Sequence, residues 1–139
     1  MEILFRYSGA PLPKNNAADI RWLGIDDYHV FLHHLELCGQ RPISENAWKE
    51  VYDSGTIYCG LFENGEMIAR ACKETISNSQ WEIADVRVVP AYRNQGRAFR
   101  ICDFVLAYIL SMSKTPTIRA EEDNYAMLKV IERLGFVSK

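Results

Sequence analysis

The stretch from Glu82 to Ala98 reads EIADVRVVPAYRNQGRA and predicts a strand, a turn and the start of a helix. Its first half is rich in β-branched residues, which suit a buried pleated strand, and Pro90 ends that strand because proline cannot donate to a ladder. A helix begins near Gln95 or Gly96, since apolar residues then recur at the helical period: Ala98, Ile101, Cys102, Val105 and Ile109. A strand that enters a helix through a glycine turn presents free backbone amides, and these typically bind an anion such as phosphate.

The turn itself carries residues that favour such a ligand. Gly96 has no Cβ, so a ligand can approach the backbone closely, and Arg93 and Arg97 supply positive charge beside it. Neither GxGxxG nor GxxxxGK[ST] occurs in the chain, which excludes the two commonest nucleotide-binding loops. Taken alone, the loop from Arg93 to Ala98 is compatible both with a pyrophosphate site of another kind and with an ordinary connection between a strand and a helix.

Arg93, Gly96 and Ala98 form the pattern Arg-x-x-Gly-x-Ala, which resembles the acetyl-CoA loop of the GCN5-related N-acetyltransferases (the GNAT family). The segment from Asn124 to Phe136, NYAMLKVIERLGF, is similar to the family's closing run N-x-x-A-x-x-L-Y-E-K-L-G-F. The resemblance covers roughly residues 18 to 137. It implies an α/β fold whose mixed, mostly antiparallel central sheet is flanked by about four helices. It also implies transfer of an acetyl group from acetyl-CoA to a primary amine.

The resemblance also assigns residues to the cofactor. The backbone of the 86–88 segment would pair with the pantetheine arm, the amides of the 94–98 segment would hold the pyrophosphate, and Asn124 would lie near the thioester. Asn124 can equally serve as a helix cap. The predicted cofactor residues are Val86, Arg87, Val88, Arg93, Asn94, Gln95, Gly96, Arg97, Ala98 and Asn124.

A general base is expected because an alkyl amine has a pKa of about 10.4 and is mostly protonated at neutral pH. Glu82 lies fourteen positions before Gly96, where the family's histone acetyltransferases carry their catalytic glutamate. The alternative is a solvent-facing strand glutamate, in which case Asp85, on the opposite face of the strand, is the candidate. Ile131 departs from the family, which usually has a tyrosine there as general acid. Tyr92 and Tyr125 are alternative candidates for the general acid, although neither stands at the family position.

Composition is that of one ordinary domain, residues 1–139, with 1–17 as an N-terminal strand and loop extension. The chain has 139 residues, 48% hydrophobic and 24% charged, and a formal charge of −2, which argues against a nucleic-acid partner. The longest apolar run, Phe104 to Leu110, is too short to span a membrane. Four scattered cysteines without CxxC spacing predict reduced thiols in a cytoplasmic protein: Cys38, Cys59, Cys72 and Cys102.

The remaining elements follow the order β-α-α-β-β-β-α-β-α after the N-terminal strand, which is the family's order. Asn64-Gly65 predicts a type I′ hairpin. The family usually adds two strands after the Leu-Gly-Phe turn, whereas only residues 136–139 remain here. We therefore predict that the N-terminal strand, residues 1–8, joins the sheet. It would do so within its own subunit or across a two-fold homodimer, and the dimer is the preferred version.

Three histidines, His29, His33 and His34, fall on the first predicted helix. Asp26, His29 and His33, at i, i+3 and i+7, could present three ligands on one face, but without a fourth ligand they do not predict a metal site. By resemblance, this helix and the next shape the acceptor site, with His33, Trp48 and Tyr52 as weak specificity candidates. The acceptor stays open among a polyamine, an aminoglycoside, an amino acid, a protein N-terminus and a lysine. A second function is compatible with Ile131, namely a module that binds acyl-CoA without turnover.

Overall fold

The computed structural model describes residues 1–9 and 19–138, in which a seven-stranded sheet is covered by four α-helices. The strands are β1 (Glu2–Tyr7), β2 (Ile20–Trp22), β3 (Ile57–Glu63), β4 (Glu66–Thr75), β5 (Gln80–Val88), β6 (Thr115–Glu121) and β7 (Phe136–Ser138). The helices are α1 (Tyr28–Leu37), α2 (Glu45–Asp53), α3 (Arg97–Ser111) and α4 (Tyr125–Leu134). Ser44 caps α2, and Asn124 caps α4 as predicted.

The sheet order is β2-β3-β4-β5-β6-β1-β7. Every neighbouring pair is antiparallel except β5 and β6, which are parallel, so the predicted mixed and mostly antiparallel sheet is confirmed. The parallel pairing runs only from Gln80 opposite Thr115 to Ile83 opposite Ile118. Beyond Ile83 the two strands no longer pair, although β5 continues to Val88. A cleft opens beyond this point.

The N-terminal strand lies inside the sheet, between β6 and β7. It pairs with β6 from Glu2 opposite Glu121 to Arg6 opposite Thr117, and with β7 from Phe5 opposite Ser138. The prediction that this strand joins the sheet is confirmed for pairing within its own chain, and the preferred version, pairing across a dimer, is wrong. Residues 10–17 of the predicted loop extension lie outside the described residues.

Two apolar clusters hold the helices to the sheet. The larger cluster contains the predicted inner face of α3, with Ile101, Val105 and Ile109 fully buried. The smaller one joins α1, α2 and β4 through Phe31, Trp48 and Met67. Burying one large apolar side chain contributes roughly 1.5–3 kcal/mol, so these clusters hold the apolar faces of the helices against the sheet.

Three of the four cysteines and one of the three histidines, His34, are buried in the core. The four cysteines are free, three are buried, and Cys38 is half-buried; burial raises the pKa of the Cys59 thiol to about 12. His34 is fully buried, its Nδ1 lies 2.9 Å from the Met67 carbonyl oxygen, and burial lowers its pKa to about 4. Within residues 1–9 and 19–138, no group of His, Cys, Asp or Glu could hold a metal ion, and no helix is long and apolar enough to cross a membrane.

Candidate active site

A β-bulge in β5 lies at the mouth of the cleft. Arg70 of β4 pairs with Arg87, but Cys72 pairs with Ala84, so β5 carries one residue more than its partner over this interval. Asp85, within the bulge, has a φ of 49°, a left-handed conformation that is uncommon for a residue other than glycine. Bulges redirect side chains and are common next to active sites.

The cleft has a volume of about 840 Å³. It lies between the end of β5, the turn after it, and α4. All the predicted cofactor residues line it except Gln95, whose side chain instead accepts a hydrogen bond from Arg97 at 2.7 Å. The complete described lining is Asp85, Val86, Arg87, Val88, Tyr92, Arg93, Asn94, Gly96, Arg97, Ala98, Phe99, Asn124, Ala126, Met127, Lys129, Val130 and Arg133.

The turn between β5 and α3 is held open by its own geometry. Asn94 and Gly96 both have positive φ, at 63° and 82°, and α3 begins directly after Gly96. Gly96 has no side chain to cap the helix, so the first amides of α3 have neither an intrahelical partner nor a cap from that residue. No described atom lies within 4 Å of a Cβ built on Gly96. The turn therefore leaves space, donors and the positive end of a helix dipole on the cleft side.

The two arginines of the turn hold it in place. Arg93 donates from Nε to the Val88 carbonyl oxygen at 3.1 Å, which ties the turn to the end of β5. Arg97 binds the Glu63 carboxylate through Nε and Nη2, at 2.7 and 3.0 Å, and donates from Nη1 to the Tyr92 carbonyl at 3.1 Å. This pairing lowers the pKa of Glu63. Arg97 thus positions the loop as well as contributing charge.

The lining of the cleft is positively charged although the chain has a formal charge of −2. Among the described lining residues, Asp85 carries the only carboxylate, and the cations are Arg87, Arg93, Arg97, Lys129 and Arg133. Sequence reasoning missed Lys129 and Arg133, which come from α4. Their four-residue spacing, which is visible in the sequence, puts them on one face of that helix.

Asn124 and Ile131 have different environments on α4. Asn124 lines the cleft, and its Oδ1 accepts a hydrogen bond from the Met127 amide at 3.3 Å, so the predicted cap is present and the contact with the cofactor stays a prediction. Ile131 is 1% exposed and belongs to the core. Of the two tyrosines considered as substitutes, Tyr92 lines the cleft, whereas Tyr125 is 71% exposed and is not among the lining residues described.

Glu82 lies in the parallel-paired part of β5, before the cleft opens. It is buried, and its Oε1 accepts from the Thr117 hydroxyl at 3.1 Å and from Arg119 Nε at 3.2 Å. It is not among the described residues that line the cleft. The structure therefore separates Glu82 from the predicted cofactor residues and gives its carboxylate an internal partner.

Asp85 occupies a different position, because it lines both the cleft and a second cavity of about 420 Å³. Its Oδ2 accepts from the Tyr58 hydroxyl at 2.6 Å and from Arg70 Nε at 3.2 Å, and its Oδ1 accepts from Arg70 Nη2 at 2.9 Å. The Asp85 side chain is 42% exposed, while that of Arg70 is 3% exposed. A carboxylate fixed in this way lies where a ligand in the cleft and a ligand in the second cavity would meet.

Only part of the predicted acceptor site lines the second cavity. Trp48 lines it, together with residues of α1 and of the segment between α1 and α2. His33 and Tyr52 are not among its described lining residues: His33 pairs with Glu66 at 3.0 Å, and the Tyr52 hydroxyl donates to the Leu23 carbonyl.

Comparison with known proteins identifies one family and many solved structures with a similar fold. The model of the acetyltransferase (GNAT) family matches residues 19–136. No curated protein matches the chain.

Similar solved structures include a GNAT-family acetyltransferase from Novosphingobium aromaticivorans (TM-score 0.79, 21% identity), for which the similarity covers 99% of this chain and 59% of that one. The ribosomal-protein-S18-alanine N-acetyltransferase of Escherichia coli gives a TM-score of 0.69 at 21% identity and covers 85% of this chain and 76% of that one. AAC(6')-Iy, in complex with a bisubstrate analogue of CoA and acetylneamine, gives 0.70 at 17% identity and covers 86% and 90%. The chain thus spans 59% of the length of the first of these.

Proposed function

Because the chain belongs to the acetyltransferase (GNAT) family, we propose that it moves an acetyl group from acetyl-CoA to a primary amine by direct attack in a ternary complex. The observation that carries this proposal is the position of Asp85, which lines both the positively charged cleft and the second cavity. Two substrates that bind in these cavities would meet at one carboxylate. Such a site needs no covalent intermediate, and the three buried cysteines are unsuited to forming one.

The cleft supports acetyl-CoA as the donor. Its lining carries five cations against one carboxylate among the described residues, and a pyrophosphate is drawn to such a lining. The amides at the start of α3 would donate to the pyrophosphate, with Gly96 leaving room for it. Residues 86–88 line the cleft beyond the end of the β5–β6 pairing, and in this proposal their backbone binds the pantetheine arm.

The proposed reaction then depends more on the positioning of the two substrates than on strong catalytic groups. The amine nitrogen forms a bond to the thioester carbonyl carbon, the carbon–sulfur bond breaks, and coenzyme A leaves as a thiolate. Holding the amine and thioester together can lower the barrier by several kcal/mol. A backbone N–H of residues 86–88 would stabilise the oxyanion that forms on the way.

The ammonium form of the acceptor must first lose a proton, which a carboxylate would accept and pass to solvent, and two carboxylates compete for this role. Glu82 is buried against Arg119 and Thr117, whereas Asp85 faces both cavities. We assign Asp85 the amine-binding role: Arg70 and Tyr58 orient its carboxylate, and Oδ1 retains a lone pair for the acceptor's N–H and its proton. Glu82 is the competing assignment, which a substitution at each position separates.

The leaving thiolate needs little help. A coenzyme A thiol should resemble cysteine, with a pKa of about 8.5, so it can leave unprotonated. A general acid typically contributes about 10²–10⁴-fold, and Tyr92, which lines the cleft, is the candidate for that smaller role. The presence of Ile131, where the family usually has a tyrosine, therefore slows the proposed reaction without preventing it.

The proposal is tested by mixing purified protein with acetyl-CoA and a panel of amines, and by measuring the release of free CoA together with the mass of the acceptor. Release that depends on an amine, with a gain of one acetyl group by that amine, supports it. Acetyl-CoA that binds in calorimetry but is not turned over with any amine would instead establish the rival function, an acyl-CoA-binding module. Free cysteines fit a cytoplasmic location, which we include in the proposal. A homodimer stays a prediction, with β2 and β7 as the edges of the described sheet.

A further inference from the structure

The second cavity has apolar walls on the side away from Asp85. Phe31 and Leu35 of α1 and Trp48 of α2 are buried, and the rings of Phe31 and Trp48 pack with their centroids 4.7 Å apart. Ile43 and Val51 complete this part of the described lining. The walls are built from packed core residues, so the cavity keeps its shape without a ligand.

The polar residues of the same cavity have a definite charge arrangement. Arg70 and Asp85 neutralise each other, and the Gln40 side-chain oxygen accepts from Arg70 Nη1 at 2.6 Å. The Gln40 amide nitrogen is thereby left as a donor. Arg41 is exposed, and no described residue forms an ion pair or hydrogen bond with its side chain. Among the described lining residues, the cavity has one carboxylate against two guanidinium groups.

We infer that the acceptor is an α-amino acid with an apolar side chain, an inference that rests on the proposed acetyl transfer. Its ammonium group would bind Asp85, at the junction with the cleft. Its carboxylate would bind the Arg41 guanidinium, beside the amide of Gln40, and its side chain would contact the walls formed by Phe31, Leu35, Ile43 and Val51, behind which Trp48 packs. Each group of a zwitterionic amino acid thus meets a lining residue of matching chemistry.

The same charges argue against the polycationic acceptors. A polyamine or an aminoglycoside carries several ammonium groups, and each usually requires a carboxylate or another acceptor. The described lining offers Asp85 alone, already bonded to Arg70 and Tyr58, and it adds the positive charge of Arg41. Repulsion from that charge disfavours a second ammonium group in this cavity. A peptide N-terminus provides the ammonium group but no carboxylate at the neighbouring carbon.

The experiment compares leucine with five other amines in the CoA-release assay. Leucinamide replaces the carboxylate by a neutral amide, isopentylamine removes it, aspartate replaces the apolar side chain, and spermidine represents polycations. A leucyl dipeptide serves as the peptide N-terminus. The inference expects the highest kcat/KM for leucine, and binding of leucine to CoA-saturated protein in calorimetry provides a readout apart from turnover.

The amines in this panel differ in basicity, which by itself alters their rates. The variant Arg41→Gln tests recognition of the carboxylate separately, because it leaves the amines unchanged. It should lower kcat/KM for leucine by about tenfold or more, as expected for loss of one charge-assisted hydrogen bond, and leave the value for leucinamide unchanged. Lys49→Gln is the matched control, since Lys49 is an exposed cation on neighbouring α2 and is not a described lining residue. It should change neither value.

The outcomes distinguish this inference from the proposed function. Turnover of spermidine or of the dipeptide, without turnover or binding of leucine, would overturn the inference and leave acetyl transfer intact. Equal loss of leucine and leucinamide activity in Arg41→Gln would also overturn it, because Arg41 would not then read the carboxylate. Binding of acetyl-CoA without release of CoA for any amine would overturn the proposed function and this inference together.

Discussion

Gly96 provides a direct test of the cofactor site, because its backbone conformation and its surroundings can be matched elsewhere in the chain. Its φ is 82°, and no described atom lies within 4 Å of a Cβ placed on it. Gly65, in the hairpin between β3 and β4, has a φ of 80° and equally open surroundings. A left-handed conformation costs a residue with a Cβ roughly 1–2 kcal/mol, so a substitution at either position should destabilise the fold by about the same amount.

The two positions should differ in acetyl-CoA binding. At Gly96, the side chain of Gly96→Glu would enter the space beside the first amides of α3, where the pyrophosphate is expected. Losing two charge-assisted hydrogen bonds, at roughly 1.5–3 kcal/mol each, corresponds to about 3–6 kcal/mol, or roughly 10²–10⁴-fold in affinity. Gly65→Glu adds the same charge to the hairpin that carries Glu63, the partner of Arg97, without entering the described lining of the cleft.

Calorimetric titration with acetyl-CoA measures this difference, and urea denaturation measures the stability of each variant. We expect both variants to fold with similar losses of stability, and only Gly96→Glu to lose affinity. The reasoning fails if folded Gly96→Glu binds acetyl-CoA as tightly as the wild-type protein does. Equal weakening by Gly65→Glu would show that added charge, and not occupation of the pyrophosphate position, explains the effect.

Three further predictions concern the carboxylates, a buried histidine and the first strand. Asp85→Asn should lower kcat/KM for the amine by about tenfold or more and leave acetyl-CoA binding intact. Glu82→Gln should chiefly lower the stability of the fold. A hundredfold fall in kcat for Glu82→Gln alone would instead assign the role of general base to Glu82. His34 has a pKa of about 4 in the fold against 6.5 unfolded, so only the unfolded state gains its proton between these values. Urea denaturation should therefore show about 2 kcal/mol less stability at pH 5 than at pH 7.5 from this group, a loss that His34→Gln removes and His33→Gln retains. Removal of residues 1–8 should abolish cooperative thermal unfolding by circular dichroism, because β6 and β7 lose the strand that joins them; an unchanged melting transition would contradict this.

The local features of the site could be predicted from sequence because each has a local cause. β-Branched residues, a proline and a glycine at φ 82° define the strand, the turn and the start of α3 within one stretch of the chain. The Ser44 and Asn124 caps likewise depend on amides only three positions away, at Ala47 and Met127. Such interactions depend only on residues that are close in the sequence.

The features that sequence did not reveal depend on distant partners. Whether Glu82 faces a ligand or the interior is decided by Arg119 and Thr117, which lie 37 and 35 positions away. The bulge that directs Asp85 toward both cavities contains no glycine that would indicate it in the sequence, since Asp85 itself adopts the positive φ. Its conformation is held by Tyr58 and Arg70, residues of two other strands, and only the assembled sheet shows that relation.

The pairing partner of the first strand can be argued from entropic costs, which the sequence pattern alone does not give. Alternation in residues 1–8 predicts a strand but not its partner, and both versions of the prediction bury its edges. Pairing within the chain requires closing a loop that brings Met1 to Glu122, 121 positions away, at an entropic cost of about 4 kcal/mol. Association of two chains costs an estimated 4–15 kcal/mol or more in translational and rotational freedom, before any interface is formed. Since β1 can pair with both β6 and β7 of its own chain, the dimer offers this strand no further backbone partner and carries the larger entropic cost.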